Sequence, residues 1–170
     1  MNDRLRTTLK AWPVIAAATI GLCFLTQHTA KLFGYDLPDQ QNVDLVRQWM
    51  LHAFDSPKNF AVCAGLLAQV LLLLPALEEV FFRWLLFRLP TRLAELRKPA
   101  TAVVIVASSA LFSSAHYIMQ PFPDSAFLAL FFFGLAQCWL YVKTGRIWCA
   151  ILNHTLFNFT NVVLLFVIPS

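Results

Sequence analysis

Leu77, Glu78, Glu79, Val80, Phe81, Phe82 and Arg83 set two adjacent carboxylates and a guanidinium inside an otherwise apolar run. Glu79 and Arg83 are four residues apart, so on a helix they share a face. The acid precedes the base, the favoured order for an intrahelical ion pair. Glu78 points about 100° away around the same helix. One carboxylate is thereby neutralised and the other left free, as a general base or acid requires. A second segment places Phe112 one helical turn before His116, and a third places His154 one turn before Asn158, with Asn161 extending the same stripe. One carboxylate, two imidazoles and an amide, carried by three helices, can converge on a single wet pocket. Peptide hydrolysis needs a base for water, donors for the tetrahedral oxyanion and a proton for the leaving amine. This set contains all three.

The elements that must carry these residues are membrane spans. Of the 170 residues, 59% are hydrophobic and only 13% charged, against about 25% charged in a soluble domain. Mean hydropathy is +0.65. Apolar stretches approach the roughly 20 residues that cross a bilayer core, and five are expected, at about 11–33, 58–87, 100–119, 125–142 and 147–168. The fold class is therefore an all-α, polytopic transmembrane helix bundle, with residues 1–170 as one membrane domain. The second span exceeds what a bilayer needs and is expected to tilt, or to bend at Pro75, whose ring removes a backbone donor. Residues 43–54 place Val46, Trp49, Met50, Ala53 and Phe54 at helical spacing among polar residues, as expected of an amphipathic helix lying at the membrane interface. A basic start (Arg4, Arg6, Lys10) before apolar residues resembles a signal sequence. No small-residue cleavage site follows, so an uncleaved anchor is expected.

The net charge of +4 does not point to nucleic acid, because the basic residues cluster at span ends rather than on one face. Arg4, Arg6 and Lys10, then Arg88, Arg92, Arg97 and Lys98, then Lys143 and Arg146 all fall on one side if the N-terminus is cytoplasmic. The C-terminus is then outside. Asp36, Asp39, Asp44, Asp55 and Asp124 occupy the other loops. Cys23, Cys63, Cys138 and Cys149 lie in or beside apolar spans without CxxC spacing and read as small buried hydrophobes. Ser108, Ser109, Ser113 and Ser114 read as small residues that let helices approach, and Gln69 and Gln137 as interhelical hydrogen-bond partners. Counted from the basic ends, Glu78 lies about 15 Å deep, His154 and Asn158 about 12 and 18 Å, and His116 about 27 Å. Span three must tilt steeply, or begin irregularly, to bring His116 level with Glu78.

The three segments together resemble the CAAX protease and bacteriocin-processing family, glutamate-type intramembrane endopeptidases that include the type II CAAX prenyl proteases. Glu78-Glu79 with Arg83 matches that family's EExxxR, Phe112 with His116 its FxxxH, and His154 with Asn158 its HxxxN. The resemblance covers about residues 58–165. It implies that Glu78 activates water with help from His116, that His154 and Asn158 stabilise the oxyanion, and that Glu79 and Arg83, with Phe112, support the site. Type II prenyl proteases have more helices, so the chain resembles a reduced, prokaryotic form in a cytoplasmic (inner) membrane. A protein or peptide in or beside the bilayer is the implied substrate, with no nucleic acid partner and no cofactor.

Other readings use the same residues. Glu78, His116 and His154 are acceptable metal ligands, although no HExxH supports a metal site. A proton-coupled transporter would also need intramembrane acids, but shows inverted repeats that this chain lacks. A non-catalytic partner that binds another membrane protein would use the polar stripe as interhelical glue. Such a partner tolerates Glu78→Gln; the protease does not.

Overall fold

The structure, a computed structural model, describes residues 2–37, 41–93, 98–118 and 126–167. The expected ends of spans near 119, 125 and 168, and the loop residues Asp39, Arg97 and Asp124, lie outside them. Helix α1 runs over Asp3–Leu32, α2 over Gln41–Leu51, α3 over Pro57–Leu93, α4 over Lys98–Ile118, α5 over Phe127–Thr144 and α6 over Ile147–Val167. No strand occurs among the described residues. All of these helices except α2 are long and apolar enough to cross a membrane. The protein is an all-α, polytopic membrane bundle.

Local chemistry sets several helix ends. Asn2 and Ser56 cap α1 and α3 by accepting from the backbone N–H groups of Arg4 and Asn59, and Pro57 occupies the first turn of α3. Proline is suited there, since that turn's N–H groups have no intrahelical acceptor. Between α5 and α6 the chain reverses at Gly145, whose φ of 66° lies in the left-handed region, where a Cβ would be strained.

Packing is tightest between α4 and α5, while α1 lies across α5 and α6. At the α4–α5 contact a Cβ on Gly134 would meet the Cβ of Ser109 at 3.0 Å and its Cα at 3.1 Å. Small residues here let two backbones approach, the main route to helix association where lipid supplies no hydrophobic drive. Trp12 donates its indole N–H to Thr160 Oγ1 at 3.1 Å, tying α1 to α6. The core contains Ile15, Ala16, Phe82, Phe112, Phe133 and Phe157. Many large apolar side chains instead face outward, among them Val14, Phe24, Leu72, Leu77, Val103, Phe132 and Val163, as a bilayer-facing surface requires.

Helix α3 departs from the regular pattern. Residues Gln69–Leu73 and Val80–Arg88 form π-helical turns on either side of the α-helical Leu74–Glu79. Each π turn holds an additional residue, so the side chains after it are rotated by about 100° from an uninterrupted α-helix. The helical course also continues to Leu93, beyond the basic residue Arg88. Counted from Leu93, Glu78 lies about 22 Å along the helix. That narrows the counted depth difference from His116 and widens the one from His154.

Candidate active site

The two adjacent carboxylates occupy different surroundings. Glu79 is fully enclosed, with Arg83 Nε at 3.1 Å from its Oε2 and His154 Nδ1 at 2.9 Å from its Oε1. Glu78 keeps 27% of its side chain exposed, and the Nε2 atoms of His116 and His154 lie 4.0 and 3.6 Å from its oxygens. Helices α3, α4 and α6 thus bring Glu78, His116 and His154 together.

The partners of each ring determine which nitrogen carries the proton. An ionised Glu79 only accepts, so His154 donates to it from Nδ1. His116 Nδ1 lies 2.9 Å from the Phe112 carbonyl, which also only accepts, so Nδ1 again donates. In the neutral state both rings therefore turn the unprotonated Nε2 toward Glu78. A carboxylate and two imidazole lone pairs form a set of acceptors around one small space. A water molecule, with two protons to give, suits such a set.

Arg83 is fully buried, and its Nη1 and Nη2 have no hydrogen-bond partner among the described residues. Its Nε is close to Glu79, but the N–H is not aligned for a hydrogen bond. Two aromatic faces flank the guanidinium: its carbon lies 4.8 Å from the Phe112 ring centre and 5.9 Å from that of Phe82, within cation–π range. The same Phe112 ring lies 4.6 Å from His116 and 5.9 Å from His154, centre to centre. Phe133 backs His154 from α5 at 5.0 Å. Phe112 is therefore a plate between the buried cation and both imidazoles. That gives a physical reason for an aromatic residue one turn before His116.

Asn158 follows His154 by one helical turn on α6. Its Nδ2 donates to the Val70 carbonyl at 3.1 Å, in the first π turn of α3. Two further amides lie buried in the bundle. Gln137, expected as a hydrogen-bond partner between helices, is fully enclosed with neither polar side-chain atom bonded among the described residues, and Asn153 is in the same state. Gln69 is exposed. Asn153 escaped the sequence reading, although an amide beside His154 in an apolar span was a usable signal. Ser108 donates to the Phe82 carbonyl at 2.7 Å and Ser113 to the Phe127 carbonyl, so two of the four serines act as hydrogen-bonding glue between helices. Cys63, Cys138 and Cys149 are buried. Among the described residues, no three His, Cys, Asp or Glu side chains are grouped as a metal-ion shell.

A profile of type II CAAX prenyl endopeptidase Rce1-like proteins matches residues 59–160, which spans all three motifs and most of α3 through α6. The chain belongs to this family. Membership makes it a CAAX-type intramembrane protease in general terms, with peptidase activity and a multi-pass place in a membrane. No curated protein and no solved structure matches the chain. The matched region begins after α2 and reaches past Asn158, so α1, which braces α5 and α6, lies outside it.

Proposed function

We propose that the protein is a glutamate-dependent endopeptidase in which Glu78 activates water to cleave a protein or peptide within or beside the membrane. The observation that carries this reading is the half-open Glu78 carboxylate facing the Nε2 atoms of His116 and His154, while Glu79 is taken up by Arg83 and His154. Water between these groups gives one proton toward Glu78 and directs the other to an imidazole. Its oxygen attacks the peptide carbonyl carbon. Glu78 then passes its proton to the amide nitrogen, the C–N bond breaks, and a carboxylate and an amine leave. His154 has a second role in its protonated form. With Nδ1–H held by Glu79, its Nε2–H points into the same space and stabilises the oxyanion.

We place the protein in a prokaryotic inner membrane, N-terminus cytoplasmic and C-terminus outside. A C-terminal sorting signal, a leader peptide and a CAAX-like tail are the candidate substrates, in that order.

The test is cleavage of membrane-anchored peptides by the purified protein in liposomes. Glu78→Gln should lower kcat by about 10²–10⁴-fold, and chelators should leave the wild-type rate unchanged. Loss of activity in chelator, restored by zinc, would replace the glutamate base with a metal-bound water.

A further inference from the structure

The first π turn of α3 leaves one carbonyl without a helical donor. The Leu74 N–H bonds to the Gln69 carbonyl, so it does not serve Val70, its partner in a regular α-helix. In the π pattern, the donor to Val70 would be the N–H of residue 75. Residue 75 is proline, which has none. Inside a membrane water cannot fill that role. The donor is Asn158 Nδ2, from a helix 88 residues away in sequence.

Glu78 lies three residues after Pro75, so its direction depends on whether this turn holds its additional residue. Reverting to regular α geometry would rotate Glu78 and Glu79 by about 100° and carry them away from the imidazoles. Helix α6 grips α3 on both sides of Glu78, through Asn158 at Val70 and through His154 at Glu79. The second π segment has the same kind of interhelical donor, Ser108 on the Phe82 carbonyl.

We propose that Asn158 is a positioning residue: it caps the Val70 carbonyl that Pro75 leaves open, and so locks the π turn that aims Glu78 at His116 and His154. This rests on the glutamate reading above and assigns Asn158 a role through α3 rather than on the reacting carbonyl.

A double-mutant cycle separates the two roles. Asn158→Ala, or the near-isosteric Asn158→Asp, which removes both N–H donors, is combined with Pro75→Ala, which returns an N–H at residue 75. With Pro75 present, either change should lower kcat about 100-fold through misplacement of the base, with KM nearly unchanged. With Pro75→Ala, the residue-75 N–H can serve Val70, and the loss should shrink to about threefold or less. An equal loss in both backgrounds overturns the proposal and puts Asn158 on the reacting atoms.

If Pro75→Ala alone silences the enzyme, amide exchange in the Glu78→Gln protein decides instead. Asn158→Ala should speed exchange across 70–75 there, and unchanged exchange overturns the proposal. Glu78→Gln is assayed in parallel. Activity retained in that variant would mark failure of the glutamate reading, separately from failure of the Asn158 clasp.

Discussion

Glu78 and Glu79 are neighbours in sequence, yet substitution should affect them in different ways. Glu79→Gln removes one partner of a fully buried ion pair and leaves Arg83 uncompensated, a loss of about 3–5 kcal/mol. It should appear as a lower melting temperature in detergent together with lost activity. Glu78→Gln should slow cleavage by about 10²–10⁴-fold while the melting curve stays close to wild type, because its carboxylate is partly open and its nearest imidazole nitrogens stand 3.6 Å away or more. Equal destabilisation by both would mean that the two acids share one structural role. Phe112→Leu should keep the fold but lower kcat, since it removes the face beneath Arg83 and His116. The division between the acids was legible in the sequence, because Glu79 and Arg83 share a helical face and Glu78 does not. The tautomers of His116 and His154 were not. They depend on the Phe112 carbonyl and on Glu79, contacts made only when the chain folds.

Among the elements, α3 was the hardest to read. Pro75 signals a disturbed helix, but a proline can produce a kink or a π turn, and the sequence around it does not choose between them. The choice here is supported by Asn158, far along the chain. The same helix continues to Leu93, although Arg88 has the look of a basic helix end, and this displaced the depth expected for Glu78. The α4–α5 contact was partly legible from its serines, while the close approach of Gly134 to Ser109 was not. Gly134→Ala should destabilise the bundle by about 1–3 kcal/mol, measured as a fall in melting temperature. Ser109→Gly should recover part of it, as the Cβ that Gly134→Ala would meet is gone. Full tolerance of Gly134→Ala would show that α4 and α5 can separate at no cost.

At the scale of the whole molecule, apolar lengths were enough to find the helices that can cross a membrane, because a bilayer accepts few alternatives to a helix of about 20 residues. How those helices pack is set by small residues and buried polar groups, whose partners the sequence does not name. The proposed orientation rests on Arg4, Arg6, Lys10, Arg88, Arg92, Lys143 and Arg146, which fall on one side if the N-terminus is cytoplasmic. A periplasm-dependent phosphatase fused after the C-terminus should therefore be active, and a silent fusion would reverse the topology. The most direct test of Glu78 as the base compares protein termini by mass spectrometry in host membranes containing either wild type or Glu78→Gln at matched levels. A specific processed end should vanish with Glu78→Gln while its uncut precursor accumulates. Identical profiles, with both proteins correctly inserted, would contradict a peptidase built on Glu78.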